Sequence, residues 1–244
     1  QLILRTSMGY TGNINKSAYP KLIMSYSTDY RYSYDTEEFL RMGTIKSAPN
    51  PNLGWERTFD YKFNLNMGFW DDRLKVNVDY YHKLGKRIIT SEAVTYTTGF
   101  SSQYYNTSEL LNNGVELSLY GRIINKKDYS LSVSVNGAYN RNRVKKYNPP
   151  TKGTTAVYYK GYPVDALFAG KNRGINPYTG LYEFEPRGDA QFVLDPDWNK
   201  SENFLKYLGP QTAPFTGGFN VSGSYKNFSA SLSGVYAIGH IFID

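Results

Sequence analysis

Hydrophobic and polar residues alternate strictly between Phe59 and Phe69, where the sequence reads FDYKFNLNMGF. Odd positions are aromatic or aliphatic, and even positions are Asp, Lys, Asn or Gly. Because successive side chains of a β-strand point to opposite faces, this stretch predicts a strand with one apolar and one polar face. The apolar face would suit either a soluble protein core or lipid.

Six other segments alternate in the same way, so the sequence predicts an all-β chain with seven antiparallel strands. Several of these segments run for ten residues or more, which is longer than an ordinary strand of about five or six. A strand that spans a membrane needs roughly 9–11 residues. The seven segments cover residues 2–11, 59–69, 74–80, 115–123, 129–140, 215–225 and 228–236.

The connections between the segments alternate between short and long. If neighbouring strands are antiparallel, all short turns lie at one end of the sheet and all long loops lie at the other. This asymmetry is typical of outer-membrane barrels, which have short periplasmic turns and long extracellular loops. The short turns are Trp70–Arg73, Asn125–Asp128 and Lys226–Asn227, and the long connections are about 13–56, 85–113 and 141–214.

Aromatic residues cluster near both ends of the predicted strands. The chain has 24 Tyr residues, and Tyr is enriched where a membrane meets water. Two aromatic girdles favour a membrane barrel over a soluble sandwich. One girdle would contain Phe69, Trp70, Tyr129, Tyr225 and Phe228, and the other Tyr10, Tyr80, Tyr139 and Tyr236. In the first quoted stretch, the lipid-facing residues would be Phe59, Tyr61, Phe63, Leu65, Met67 and Phe69, and the lumen-facing residues Asp60, Lys62, Asn64 and Asn66.

Composition excludes several classes of protein. No run approaches the roughly 20 apolar residues of a spanning helix, which excludes a helical membrane protein. The absence of Cys excludes disulfides and Cys-based zinc sites. The net charge is +7, but no nucleic-acid motif accompanies it, so we expect no nucleic-acid partner. We interpret the cluster Arg141, Arg143, Lys145 and Lys146 as a strand end that meets water or anionic lipid headgroups.

Two features concern the backbone where segments begin and end. Gly54 precedes Trp55 where a long loop enters the wall, and we predict a structural role in which glycine allows an unusual backbone angle there. Both chain ends, 1–5 and 241–244, have strand-like sequence. We therefore expect residues 1–244 to be one partial barrel domain of a longer protein.

Catalytic and metal-binding motifs are weak. His82 and His240 lack metal-ligand spacing, and no nucleophile–base pattern accompanies them, so we predict a chain that is not an enzyme and has no cofactor. Residues 195–199 resemble the start of a calcium loop, but Lys200 and Lys206 stand where an EF-hand needs Gly and Glu. A looser calcium site would use Asp195, Asp197 and Asn199.

The long connection from about 147 to 214 is the predicted functional surface. Aromatic faces next to amides and carboxylates suit sugars, peptides or a protein partner. The alternative is that these rings fold the loop onto itself. The candidate contact residues are Tyr158, Tyr159, Asp165, Tyr178 and Trp198.

Seven short motifs cover nearly the whole chain. They are LRTSMGYTGN (4–13), NPNLGWERT (50–58), FWDDRLKVNVDYYHK (69–83), NNGVELSL (112–119), NGAYNRNRV (136–144), GYPVDALFAGKNRGINPYTGLYEF (161–184) and GGFNVSGSYKNFSASL (217–232). Together, and in this order, they resemble the SusC/RagA family of TonB-dependent outer-membrane transporters.

The resemblance implies a multi-pass protein of the bacterial outer membrane. Such transporters have a 22-stranded barrel with a plugged lumen, so this chain would supply about seven strands from the C-terminal part and would lack the plug. The family imports glycans or peptides, with a SusD-like surface lipoprotein over the mouth and TonB pulling on the plug. The alternatives are a passive porin or adhesin barrel and a soluble β carbohydrate-binding module.

Overall fold

The structure is a computed structural model that describes residues 1–16, 18, 20–33, 38–147, 160–185, 193–194 and 205–242. Within these ranges, no helix is long and apolar enough to cross a membrane. In chain order the elements are β1 (Leu2–Asn13), β2 (Ile23–Ser33), β3 (Glu38–Ser47), β4 (Glu56–Phe69), β5 (Leu74–Ala93), a 3-10 turn (Tyr96–Thr98), β6 (Ser102–Asn125), β7 (Tyr129–Lys146), β8 (Ala166–Gly170), β9 (Asn172–Ile175), β10 (Tyr182–Phe184), β11 (Val193–Leu194), β12 (Leu205–Pro210), β13 (Phe215–Tyr225) and β14 (Phe228–Ile238).

Seven long strands form one antiparallel sheet in the order β1-β4-β5-β6-β7-β13-β14, which confirms the predicted fold class. We call this sheet the wall. The predicted bounds of two strands were wrong, since β5 continues to Ala93 and β6 begins at Ser102. The register shifts between Gly85 and Ile88 and again at Ile89. Such bulges change the phase of the alternation, so a search for strict alternation of apolar and polar residues misses the rest of the strand.

The register separates apolar and polar side chains onto opposite faces of the wall. Leu4, Leu65 and Val78 lie side by side on one face, whereas the next residue of each strand, such as Arg5 and Asn64, lies on the other. A hollow of about 630 Å³ is lined mostly by residues of the polar face, with members from all seven strands, including Ile3, Asn66, Asn77, Ser118, Asn136, Asn220 and Ser233. The polar face is therefore the concave, lumen-facing side, and the apolar face is outward.

The aromatic girdle nearer the long connections, which we call the upper girdle, is displaced along the strands from one side of the wall to the other. It contains Tyr10, Tyr80, Tyr139 and Tyr236. Following the register, Tyr236 of β14 lies level with Leu4 of β1, six residues from Tyr10. Six residues of about 3.3 Å over six strand spacings of about 4.8 Å correspond to a tilt of about 35°. Membrane barrels have strand tilts of about 35–45°. The stagger therefore keeps the girdle at one depth if the strands are tilted as in a barrel.

Glycines on the outward face make room for aromatic rings of the neighbouring strands. A Cβ on Gly217 would overlap both the backbone oxygen of Asn136 and the hydroxyl of Tyr236, and one on Gly137 would lie 2.9 Å from that hydroxyl. The Tyr236 hydroxyl donates a hydrogen bond to the Asn136 oxygen at 3.3 Å. Tyr236 thus covers a two-glycine gap in the wall, a packing that stabilises strands weakened by glycine.

Short sheets lie in the long connections at one end of the wall, and we call them the loop layer. β2 pairs with β3, β8 with β12, and β10 with both β9 and β11. These pairings were not predicted. Among the described residues, buried apolar side chains such as Val144 and Leu205 lie at the rim of the wall and in the loop layer rather than within one central core.

Candidate functional site

The lumen face of β4 and β5 carries a connected set of amides and carboxylates. The Asn64 amide donates to Asp79 Oδ1 at 2.6 Å and to Asn77 Oδ1 at 2.8 Å. The Asn77 amide donates to Asp79 Oδ2 at 2.6 Å, and the Asn66 amide donates to Asn64 Oδ1 at 2.5 Å. These side chains lie on the polar face predicted for Asn64 and Asn66. Such groups can exchange hydrogen bonds with hydroxyl or peptide groups of a solute in a wet channel.

Serine side chains continue the polar surface across β7 and β13. Ser130 Oγ lies 2.7 Å from Ser224 Oγ, and Ser132 Oγ lies 2.8 Å from Ser222 Oγ. Each hydroxyl can donate one hydrogen bond and accept two, so the pairs keep capacity for water or solute. The lumen face is therefore hydrophilic over several strands.

Asp165, one of the candidate contact residues, holds two segments of the loop layer together. Its Oδ2 accepts a hydrogen bond from the Thr212 backbone N–H at 2.7 Å, and its backbone oxygen accepts one from Gln211 at 3.1 Å. These bonds join the turn before β8 to the segment after β12. The geometry gives Asp165 a structural role, and a contact with a ligand stays a prediction.

Three aromatic rings of the loop layer pack against one another. The ring centroids of Tyr162, Phe168 and Tyr207 lie 4.9–5.6 Å apart. Burial raises the pKa of the Tyr207 hydroxyl, and the negative charge of Asp165 adds to the rise. For these rings the structure matches the alternative in which the loop folds onto itself.

Tyr178 has the opposite character, since it is displayed at the tip of the turn between β9 and β10. The Asn176 side-chain oxygen accepts hydrogen bonds from the backbone N–H groups of Tyr178 at 2.8 Å and Thr179 at 3.2 Å. Gly180 completes the turn with φ 69°. The Tyr178 side chain is 95% exposed. A rigid turn with an exposed ring suits contact with a sugar, a peptide or a partner.

The remaining predicted site residues lie outside the described residues: Tyr158, Tyr159, Trp198 and the calcium candidates Asp195, Asp197 and Asn199. In the described part of the chain, His, Asp and Glu form no group of three or more that would hold a metal ion. Asp165 and Tyr178 are on separate turns and share no hydrogen bond. The calcium site and the full contact set stay predictions.

Two lysines and a glutamate join the small sheets of the loop layer. Lys171 Nζ lies 2.9 Å from Glu185 Oε1, and Lys206 Nζ lies 2.8 Å from Glu185 Oε2. The hydrogen bonds from Lys206 and Lys171 lower the pKa of the Glu185 carboxyl to about 2. This triad connects the β9–β10 hairpin with β12. It was not predicted, because its three members are far apart in sequence.

The NPNLGWERT motif holds the upper ends of several strands together. The buried Asn50 side chain donates to the Tyr104 backbone oxygen at 2.7 Å. Glu56 accepts hydrogen bonds from the Asn13 side chain at 2.8 Å and the Ile89 backbone N–H at 2.9 Å. The motif therefore links β1, β4, β5 and β6 at the rim of the wall.

The prediction for Gly54 was wrong, because its φ is not positive. Its backbone N–H donates to Asn106 Oδ1 at 2.7 Å, and its backbone oxygen accepts from Asn106 Nδ2 at 2.8 Å. A Cβ at this position would lie 2.8 Å from the Arg87 guanidinium. Gly54 is needed for a close approach of neighbouring side chains, and the partner Asn106 was missed because it falls in a predicted loop.

Comparisons with known proteins give a consistent set of relatives, although no protein-family model matches the chain. TonB-dependent receptor P3 of Formosa agariphila is 27% identical over 248 residues, which are 93% of this chain and 24% of that receptor. TonB-dependent receptor SusC of Bacteroides thetaiotaomicron is 26% identical over 248 residues, which are 95% of this chain and 24% of that receptor.

The same correspondence is found in solved structures. The structure of the RagAB peptide transporter superposes with a TM-score of 0.77 at 28% identity and covers 98% of this chain and 26% of the matched chain. The RagAB peptide importer in the "closed-closed" state gives a TM-score of 0.78 at 27% identity, with 98% and 27% covered. The chain thus spans about a quarter of the length of the relatives it matches.

Proposed function

We propose that the chain is a segment of a SusC/RagA-like, TonB-dependent outer-membrane β-barrel and that the whole protein imports oligosaccharides or peptides across the outer membrane. The observation that carries this proposal is the match of 98% of the chain to the RagAB peptide transporter at 28% identity. The named relatives are receptors and transporters, and we propose no covalent chemistry.

The two faces of the wall support this function physically. Outward residues such as Leu65 and Val78 would contact acyl chains, and the strands would cross the membrane several times. The lumen groups of Asn64, Asn77 and Asp79 would offer a hydrated path in which a polar solute exchanges hydrogen bonds with the wall. A hydrophilic solute would then find hydrogen-bonding partners along this face.

The proposed partners act at the two ends of the barrel. A SusD-like surface lipoprotein would close over the mouth and contact the loop layer, where Tyr178 is exposed. TonB would supply the energy by pulling on a plug. In the whole protein, this plug would lie outside residues 1–244. Both assignments follow from the similarity to SusC and the RagAB transporter.

Uptake in cells tests the proposed function. The gene for the whole protein would be deleted, and cells would be given fluorescent oligosaccharide and peptide pools, beside a matched strain that lacks TonB. We expect uptake of at least one pool to be lost in both strains. A passive porin would keep its uptake without TonB, and a soluble carbohydrate-binding module would not fractionate with the outer membrane.

Epitope tags test the orientation of the barrel. A tag after Thr179, in the loop layer, should be labelled by antibody on intact cells. A tag in the turn Asn125–Asp128 should be labelled only after the outer membrane is opened. Labelling of the turn alone on intact cells would invert the orientation and contradict an extracellular loop layer.

A further inference from the structure

Four cations lie on the outward face of the wall, just beyond the upper aromatic girdle. The ring of Phe59 lies 5.2 Å from that of the girdle residue Tyr10, and Arg57 occupies the next outward position of β4 toward the loop layer. On β7, Arg141 occupies the next outward position beyond the girdle residue Tyr139. The Tyr139 ring packs against Phe215 with centroids 4.6 Å apart, which marks the girdle at this point. We call the four residues the outer basic belt: Arg57, Lys86, Arg141 and Arg143.

The charges of the outer basic belt are not neutralised within the described structure. Arg57 and Lys86 are directly opposite each other in the β4–β5 register, an arrangement of like charges that destabilises a sheet. Arg141 and Arg143 occupy consecutive outward positions of β7. None of the four forms an ion pair or a side-chain hydrogen bond with a described residue.

A groove of about 570 Å³ adjoins the belt on β1 and β4. It is lined by Tyr10 and Trp55, by Arg57 and Arg87, and by Glu56 together with smaller residues. The Trp55 side chain is 61% exposed, and its ring lies against Gly12, where a Cβ would be 3.0 Å away. The Glu56 carboxylate accepts hydrogen bonds from the Asn13 side chain and the Ile89 backbone N–H. Two arginines against one glutamate leave the groove with a net positive charge beside aromatic rings, which suits an amphipathic anion.

The position of the belt identifies the source of the missing negative charge. Aromatic girdles mark the interface between acyl chains and headgroups. The next outward position on a tilted strand is therefore at the level of the headgroups. Guanidinium groups bind phosphate oxygens in a bidentate manner, and lysine binds them as a point charge.

We propose that the outer basic belt and its groove bind the phosphate groups of an outer-leaflet lipid headgroup, with the acyl chains along the apolar face below. The inference rests on the outer-membrane location but not on import. The bound lipid supplies the counter-charge that lets Arg57 and Lys86 lie opposite each other. It also explains why cations on this face begin where the girdle ends.

Lipid titration of the purified full-length protein in detergent tests the proposal. The probes are diphosphoryl lipid A, the same lipid A with its phosphates removed, and inorganic phosphate, with binding followed by native mass spectrometry. The belt variant is Arg57→Gln with Lys86→Gln. The matched control is Arg5→Gln with Lys62→Gln, which removes the same charge from the lumen face of β1 and β4.

The expected result is preferential binding of diphosphoryl lipid A, weakened in the belt variant by about 5-fold per cation and about 25-fold in total. The control should change affinity less than twofold. Equal binding of both lipids, or equal loss in the belt variant and the control, would overturn the proposal. Inorganic phosphate that binds as tightly as lipid A would assign the site to a free anion and overturn the lipid assignment.

A second variant, Arg141→Gln with Arg143→Gln, keeps the test open if the first variant does not fold. Correct folding is verified for each variant by the heat-dependent shift of the barrel in gel electrophoresis. The titration measures no transport, so a failed uptake experiment and a failed lipid titration remain separate results.

Discussion

In the wall, β1 and β4 pair over twelve residues without interruption, whereas in the loop layer β8 and β12 pair over five residues with a register shift. Wall strands are held by long backbone ladders and by the contrast between an apolar outward face and a polar lumen. The loop layer depends on single side-chain bonds, such as those of Asp165 and Glu185.

This difference predicts how substitutions act in the two regions. In the wall, the effect of a substitution on stability depends mainly on which face the residue lies on and on how much space surrounds it. In the loop layer, loss of one hydrogen bond or ion pair loosens one hairpin and leaves the wall assembled. Four substitutions test this contrast, from the largest expected effect to the smallest.

Placing a charge on the outward face should have the largest effect. Leu65→Arg puts a cation among acyl chains, and we expect it to lower the free energy of unfolding by about 2–4 kcal/mol. Asn64→Arg, one position away on the lumen face, is the matched control, because water can solvate its charge. The measurement is urea unfolding of the full-length protein in lipid vesicles. Equal destabilisation at both positions would contradict the assignment of the faces.

Filling the glycine gap beneath Tyr236 should have the second-largest effect. In Gly217→Ala the new Cβ would overlap the Asn136 backbone oxygen, which cannot move away by a rotamer change. Overpacking of this kind costs about 1–3 kcal/mol. Gly9→Ala is the control, since its Cβ would have no atom within 4 Å. Similar folded yields of the two variants in the outer membrane would show that the gap is not needed.

The wall was largely predictable because a strand with one apolar face and one polar face has apolar and polar residues that alternate along its sequence. The alternation from Phe59 to Phe69 identified both faces of β4 correctly. The pattern failed beyond Gly85, where bulges change the phase. Contacts such as Tyr236 over Gly217 were not predictable, because they join residues of paired strands whose register is set only by the fold.

Removing the ion-pair triad should loosen only the loop layer. Because Lys206 and Lys171 lower the pKa of Glu185 to about 2 from 4.5, the triad contributes stability above pH 4.5 and loses it as the pH falls through about 2. At neutral pH, Glu185→Gln should speed proteolysis between β10 and β12 by up to about fivefold at low salt. Asp128→Asn in the opposite turn is the control. Unchanged cleavage would mean that the triad does not hold the hairpin.

Replacing the exposed ring of the loop layer should have the smallest effect on stability. Tyr178→Ala should change the free energy of unfolding by less than about 0.5 kcal/mol. If the Tyr178 ring contacts the substrate or the SusD-like surface lipoprotein, the substitution should weaken binding of that ligand by about tenfold. Tyr96→Ala, which removes an 86% exposed ring from another loop, is the control for affinity measurements. Equal affinities in both variants would remove Tyr178 from the contact surface.

The candidate site was less predictable than the wall, and the reason is physical. Composition identifies a loop rich in Tyr and Asp but does not tell which side chains face inward. Asp165 bonds to Thr212, and Tyr207 packs with Tyr162 and Phe168, whereas Tyr178 is free at a turn. The Asn-x-x-x-Gly spacing at 176–180 was the available signal for an exposed turn.

The length of β6 has a consequence for the height of the turn that it carries. β6 has 24 residues and its partner β5 has 20, and a span needs only about 10. At about 3.3 Å per residue and a tilt of about 35°, the surplus of β6 extends the β5–β6 hairpin by nearly 40 Å. Four other wall strands have only 11–14 residues, so the hairpin projects past their ends. A paired strand is far stiffer than a loop of equal length, so the turn at Tyr96–Thr98 would be held at a fixed distance from the rim of the wall.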